Sequence, residues 1–356
     1  MIPSQFFLSH GHDFHLAVCM TALQILFMGT AELSCASLQT LADNEQFHVA
    51  AVVTQPDKPR GRDMKLQPSP VKALALKLGL PVLQPPRARD ERFIAELRAL
   101  EPDLIVVVAY GQILPPAILD LPRHGCLNVH TSLLPKYRGA APIQWAIASG
   151  DPETGVTIMK MDAGLDTGPI VSQRTTPIRP EDDSSTLHDR LAQLGAELLV
   201  QTIPGYVAGK IQPVPQPAEG SSYAAKIKKE DGRIDWSRPA REIGTRLRAF
   251  TPWPGAFTFW LGVPPSGGSP VGKTLPPEGG TPGGSRPMLL KIWKAEVVGR
   301  SGGAGGILSA DKTGIVVGCG GHALRILELQ REGGRRLTAA EFLAGHPVKT
   351  GEKFGA

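Results

Sequence analysis

The chain reads as an α/β protein: a doubly wound, mostly parallel sheet over residues 23–209, followed by a small β-rich domain. Three observations predict this. From Leu23 onward, apolar runs of strand length alternate with helical stretches, the pattern of repeated βαβ units. The run DLIVVVAYG (103–111) is continuously apolar, as expected of a parallel strand buried on both faces. Beyond residue 222 the texture changes to short strand-like pieces separated by turn residues.

Taken in order, LQILFMG from Leu23 reads as a buried strand and residues 31–42 as a helix. FHVAAVVT (47–54) reads as a second strand. In SPVKALALKLG, Ser69 is the cap, Pro70 opens the first helical turn and Gly79 is the stop. PVLQP is a short strand. RDERFIAELRAL is an amphipathic helix with Phe93, Ile94, Leu97 and Leu100 on one face. CLNVH (126–130) is a strand, AAPIQWAIASG a helix and TGVTIMKM (154–161) a further strand, and residues 184–209 are helical. Residues 210–222 (KIQPVPQPAEGSS) are Pro-rich and polar, a linker by composition. FTFWLGV, MLLKIWKAEVV, GIVVGCG and ALRILELQ then predict the strands of a second domain over 223–345. Residues 264–287 hold seven Gly and seven Pro and predict a disordered insertion. Residues 1–22 read as a leader or flexible tail. Met20 is an alternative start, and His10, His12 and His15 belong to the tail rather than to a metal site.

Composition excludes several classes. No apolar run approaches the roughly 20 residues that span a bilayer. The first basic residue is Lys58, so a secretory signal with a charged n-region is not predicted. Cys19, Cys35, Cys126 and Cys319 are scattered. That spacing suits neither a zinc site nor a disulfide framework and fits a reducing cytoplasm. The net charge of +5 hides an asymmetry. Residues 1–222 carry 18 Lys+Arg against 22 Asp+Glu, a balance of −4, and residues 223–356 carry 20 against 11, a balance of +9. A basic second part suits a polyanionic partner, although a solvated basic surface explains the same charge.

Two glycine patterns are set aside. GGSPVGKT (Gly267–Thr274) matches a P-loop, but LPPEGG follows where the phosphate-binding helix must begin. The first turn, Gly29-Thr30-Ala31, lacks G-x-G-x-x-G, so no nicotinamide cofactor is expected.

In open α/β sheets, ligands bind beyond the carboxyl ends of the strands. Asn128 and His130 lie two residues apart at a strand end and share one side of the pleat. Asp166 lies in the Gly-bracketed run DAGLDTG after the next strand. An amide can hold a developing oxyanion, an imidazole can move a proton and a carboxylate can orient the imidazole. Acyl transfer to an amine needs those three functions. By spacing alone a second reading stands beside this one, with His130 a core histidine and Asp166 a turn former.

NVHTSLLPKYRGAAPIQ and TGVTIMKMDAGLDTG resemble the signature of the formyltransferases that use 10-formyltetrahydrofolate. Three further stretches narrow the resemblance to the branch that acts on methionyl initiator tRNA. They are TQPDKPRGR with QPSPVK, AAPIQWAI, and SYAAKIKKEDGRIDWS with RAFTPWPGAF. The resemblance spans about residues 24–340. It implies a Rossmann-like catalytic domain over 23–209, an OB-like β-barrel that binds tRNA, a formyl-folate donor, no metal, no membrane and a monomer. It assigns catalysis to Asn128, His130 and Asp166, and folate binding to Ser132, Leu133, Leu134, Pro135, Tyr110 and Gly111. It assigns tRNA contact to Lys58, Arg60, Arg62 and Lys65, with Arg62 foremost, and to the basic stretch Lys226, Lys228, Lys229, Arg233, Arg238, Arg241, Arg246 and Arg248. The sequence departs from the family's usual residues at Ala31, Leu33 and Thr131, and the Thr131 side chain is expected to crowd the folate pocket slightly. A formyltransferase for a small amine, or a tRNA-binding module without catalysis, is the alternative. The basic loop 55–69 and the intact Asn-His-Asp set weigh against each in turn.

Overall fold

The structure, a computed structural model, describes residues 22–60, 65–260 and 287–355. Arg62, the P-loop-like run, all but one residue of the leader and all but one of the 264–287 insertion lie outside them.

The first unit runs β1 (Leu23–Gly29), α1 (Leu33–Ala42), β2 (Phe47–Val53), β3 (Lys58–Arg60), β4 (Lys65–Gln67), α2 (Pro70–Lys77), β5 (Val82–Leu83) and α3 (Glu91–Ala99). It continues through β6 (Leu104–Val108), α4 (Pro116–Leu119), β7 (Cys126–His130), β8 (Arg138–Gly139), α5 (Pro142–Ala148), β9 (Glu153–Lys160), β10 (Ile170–Pro177) and α6 (Ser184–Val207). The main sheet has the order β10-β9-β7-β6-β1-β2-β5. The five strands from β7 to β5 are mutually parallel.

Alternate residues of each strand face opposite layers, as the pleat demands. Phe27, Val106, Leu127 and Val129 pack with Leu38, Ile147 and Leu199 from α1, α5 and α6. Met28, Val107 and Cys126 pack on the other face with Phe93, Leu97 and Ile118 from α3 and α4. The helix ends obey local chemistry. Ser69 Oγ accepts from Lys72 N at 3.0 Å, and Asp90 Oδ1 accepts from Arg92 N at 2.9 Å.

Three elements differ from expectation. β9 runs antiparallel to β7, and β10, absent from the reading of the sequence, runs antiparallel to β9 at the sheet edge. One face of β10 is exposed, so its residues IVSQRTTP are largely polar and show no buried-strand signal. The expected loop 55–69 contains the hairpin β3–β4, whose β4 is fully exposed and is held by ladder hydrogen bonds.

Helix α6 lies so close to the sheet that a Cβ at Gly195 would come 2.8 Å from Val129 Cγ1. Val129 sits between Asn128 and His130 and has no room to yield. Gly195→Val is therefore expected to destabilise the protein by about 1–3 kcal/mol through overpacking. Urea denaturation measures this, and an unchanged or higher midpoint would contradict it.

Past the 210–222 segment come β11 (Tyr223–Ala224), a 3-10 turn (Lys229–Gly232), α7 (Ala240–Ala249), β12 (Ala256–Trp260), β13 (Met288–Val298) and β14 (Ile307–Asp311). β15 (Gly314–Gly318), β16 (Ala323–Arg331), β17 (Leu337–Thr338), α8 (Ala339–Gly345) and β18 (Phe354–Gly355) complete the described chain. The antiparallel order β14-β15-β16-β13-β12-β18 curls until its two edges meet at the Gly306–Lys353 bridge. This is a small β-barrel around Trp260, Ile292, Ile326 and Phe342. The basic stretch Arg238–Arg248 includes most of α7. Its Ala240, Ile243 and Leu247 form a buried stripe at helical spacing.

The barrel is bonded to the first unit. Trp145 Nε1 donates to Ala225 O at 2.8 Å, Thr245 Oγ1 donates to Ala148 O at 3.2 Å and Ser184 Oγ bonds Ala249 O. The segment read as a linker is itself laid on the first unit: Val214 and Ile170 exchange two backbone hydrogen bonds of 2.8 Å.

Candidate active site

A cleft of about 550 Å³ opens at the ends of β6 and β7, and Asn128, His130 and Asp166 all line it. That volume suits a small-molecule site. Ala109, Tyr110 and Gly111 form its wall on the β6 side, and Met159, Leu165 and Tyr223 face them. Tyr110 is buried, its Oη has no hydrogen-bond partner among the described residues, and burial pushes its hydroxyl up to about 12.

Asn128 and His130 share a face of β7 with Cys126. Asp166 reaches them by a different route from the one expected. Because β9 is antiparallel, the loop after it starts beside Cys126, where Met161 N donates to Cys126 O at 2.8 Å, and doubles back. The return places Asp166 Oδ1 3.4 Å from Asn128 Nδ2, and Asp166 Oδ2 3.8 Å from His130 Nδ1. Gly139 N donates to Asp166 Oδ2 at 2.8 Å.

The other imidazole nitrogen is committed. His130 Nε2 lies 2.9 Å from Tyr137 O. A carbonyl only accepts, so Nε2 carries a hydrogen and Nδ1 is the atom facing Asp166 and the cleft. Asp166, Tyr137 and Ala109 have φ of 52°, 59° and 43°. Left-handed backbone of this kind costs an L residue about 1–2 kcal/mol and is kept where the surroundings impose it.

The run after His130 acts as a buttress. Ser132 Oγ donates to Lys136 O at 2.6 Å, and Thr157 Oγ1 donates to Ser132 O at 2.7 Å and accepts from Leu134 N at 3.1 Å. Gln173 Nε2 donates to Leu134 O at 2.9 Å. Of the expected folate residues, Tyr110 and Gly111 line the cleft, whereas Ser132, Leu133, Leu134 and Pro135 do not. A buried turn must satisfy its own polar backbone, and this one does so on β9 and β10, behind the cleft. Thr131 is the residue of that run that lines it.

Two supports carry no motif. Gly139 has φ of 116°, and a Cβ there would lie 2.7 Å from the Tyr223 ring and 2.8 Å from Ala224 O. Only glycine lets β8 pair with β11 while its N–H reaches Asp166. Gln216 Nε2 donates to Asp166 O and Gly168 O, both at 2.8 Å. The run YRG after SLLPK hints at the first, and nothing in a Pro-rich stretch marks the second.

The basic residues are distributed less simply than their clustering suggests. Lys58 Nζ donates to Gln55 Oε1 at 2.6 Å, and Gln55 Nε2 donates to Tyr110 O at 2.9 Å. Arg60 and Lys65 occupy facing positions of the hairpin. Lys226, Lys228, Lys229 and Arg233 are exposed, and Arg233 lies 5.9 Å from the Phe259 ring centre. Arg238 pairs with Asp235 and Glu242. Arg246 lies 5.0 Å over the Phe250 ring, and Arg248 donates to Asp182 O at 2.7 Å. Burial lowers both guanidinium pKa values. Arg246 and Arg248 are thus half-buried and braced against neighbouring groups of the protein.

Among the described residues no group of three or more His, Cys, Asp or Glu could hold a metal ion, and no helix is long and apolar enough to cross a membrane.

A model of the formyl transferase family matches residues 23–203, and one of the formyl transferase C-terminal domain matches 226–347. The methionyl-tRNA formyltransferase of Trichlorobacter lovleyi is 49% identical over 332 residues, 93% of this chain and 97% of its own. That of Geobacter sulfurreducens is 47% identical over 336 residues, 94% and 98% of the two chains. Among solved structures, WlaRD, a sugar 3N-formyl transferase, superposes with a TM-score of 0.59 at 19% identity, over 88% of this chain and all of its own. HypX from Aquifex aeolicus in complex with tetrahydrofolic acid gives 0.58 at 18% identity over 93% of this chain, which spans about half of HypX. At such identities the likeness is one of fold.

Proposed function

The chain belongs to the formyl transferase family, and from that membership we infer that it transfers the formyl group of 10-formyltetrahydrofolate to the α-amino group of methionyl initiator tRNA. The product is N-formylmethionyl-tRNA for translation initiation in the cytoplasm, made by a monomeric enzyme. The observation that carries the reading is the convergence of Asn128, His130 and Asp166 in one cleft beside a wall suited to a flat donor. Relatives alike over nearly their whole length, both domains included, supply the acceptor.

In this mechanism the α-amine attacks the formyl carbon, a new C–N bond forms and the bond to the donor nitrogen breaks. The Asn128 Nδ2–H not turned to Asp166 donates to the formyl oxygen as it gains negative charge. His130 Nδ1 takes the proton leaving the amine and returns it to the departing nitrogen, while the Asp166 carboxylate steadies the imidazolium between the two steps. Tyr137 O keeps the ring in the orientation this requires. Tyr110 and Gly111 border the donor, and Ser132, Leu133, Leu134 and Pro135 serve it indirectly, by fixing the strand end that bears His130.

Acceptor binding falls to cations in two stretches: Arg60, Arg62 and the exposed Lys65 of the 55–69 loop, and the exposed Lys226, Lys228, Lys229 and Arg233 at the entry to the barrel. Phosphate contacts of this kind give affinity and salt dependence rather than base reading. Formylation of charged initiator and elongator tRNA at several salt concentrations tests the reading. The expected result is strong preference for the initiator and a kcat/KM that falls steeply with salt. Lys228→Ala and Lys229→Ala together should raise KM for tRNA and make the log–log salt slope shallower by about 1 per cation removed. A variant with an unchanged slope would remove the barrel entry from the interface.

A further inference from the structure

We propose that Gln216, in the segment between the two domains, is a positioning residue that holds Asp166 against Asn128 and His130. The proposal rests on the reading of Asp166 as a working residue of the site.

Every hydrogen-bonding position of the Gln216 carboxamide is used. Nε2 donates one hydrogen to Asp166 O and one to Gly168 O, both at 2.8 Å. Oε1 accepts from Arg138 Nε at 3.0 Å and from Arg138 Nη2 at 2.7 Å. The guanidinium, always charged and planar, fixes which end of the amide faces the loop. Asp166 needs such a hold. It sits at φ of 52° on a loop that has doubled back along the sheet, and its carboxylate has one strong partner, the N–H of Gly139. Residue 139 neighbours Arg138, so the anchor of the carboxylate and the anchor of the backbone belong to the same two-residue strand β8.

The segment that carries Gln216 is fastened on both sides of it. Val214 is bridged to Ile170 at one end. At the other, Ser222 Oγ accepts from Tyr137 N at 2.9 Å and Tyr223–Ala224 pairs with Arg138–Gly139. The Tyr137 carbonyl is the partner of His130 Nε2. One strap, leading directly into the barrel, thus supports the partners of both His130 and Asp166. A carboxamide suits this post and a carboxylate does not. Glutamate accepts from Arg138 but has no hydrogens for the two loop carbonyls, and it would set a negative charge against them.

The test compares wild type, Gln216→Glu, Gln216→Ala, Asp166→Ala and the double variant Gln216→Glu/Asp166→Ala in the full chain. Gln216→Glu is expected to lower kcat for formylation roughly tenfold to hundredfold, as small misplacements in an active site do, with KM for tRNA within about twofold of wild type. In the Asp166→Ala background the same substitution should cost less than about twofold, because the group it positions is gone. Ring nitrogen chemical shifts of His130, from nitrogen-15 histidine labelling, give a readout independent of activity. In Gln216→Glu they should move toward their values in Asp166→Ala. Gln216→Ala serves in the same comparison if the glutamate variant fails to fold. An equal kcat loss in both backgrounds, or a His130 signal unmoved by Gln216 substitution, would overturn the proposal. If Asp166→Ala keeps full activity while the His130 signal shifts in both variants, the functional reading of Asp166 fails and the positioning geometry stands.

Discussion

Replacing His130 with alanine is expected to lower kcat for formyl transfer by about 10²–10⁴-fold, the usual worth of a positioned proton-transfer group. The magnitude follows from how few atoms can substitute. Nε2 is committed to Tyr137 O, so Nδ1 is the basic atom that faces both Asp166 and the cleft. The loss should appear in kcat in single-turnover assays at saturating donor, with KM for tRNA little changed, because the proton moves only as the transition state forms. Far-ultraviolet circular dichroism and urea midpoints separate this from unfolding, since His130 is buried and its removal leaves Tyr137 O without its partner. A variant retaining more than half of wild-type kcat would refute the proton-transfer role.

Asn128→Ala is the second large effect, expected at about 10²–10³ in kcat, the worth of one oxyanion donor in a water-poor site. Asn128→Asp should be worse. It removes the donor and sets a second carboxylate where an amide now lies 3.4 Å from Asp166. The interaction strengthens as the formyl oxygen gains charge, so both substrates should keep their KM. A raised KM with unchanged kcat would make Asn128 a ground-state binding group instead. Combined with His130→Ala, the loss should be far smaller than the product of the single losses, as for groups that act as one unit.

Legibility along the chain followed the number of faces an element buries. β1 and β6 read plainly because parallel strands covered on both faces leave nearly continuous apolar runs. β10 and the β3–β4 hairpin did not, because strands with an exposed face are held by backbone hydrogen bonds that no side chain announces. α7 was obscured by its arginines. Arg246 lies over Phe250 and Arg248 bonds the first unit, contacts that a run of basic residues does not announce. At the site, the two-residue spacing of Asn128 and His130 was readable because a strand forces i and i+2 onto one face. The distance from Asp166 to either was not, because it depends on a strand reversing direction and a loop returning along the sheet.

The family-like motif, the apolar runs and the acidic-to-basic shift along the chain are properties of the residues themselves, and by themselves they determine an α/β unit, a second β-rich unit and a candidate acyl-transfer set. Tertiary structure alone decided that Asp166 meets His130 at Nδ1, that Ser132 to Pro135 stand behind the cleft, and that a polar, Pro-rich segment carries the Gln216 clamp. The physical reason is the range of the interactions. Periodicity and capping act within one or two turns of chain. The long-range contacts that complete the site join residues 25 to 85 positions apart, and loop closure over such spans leaves no local trace in the sequence.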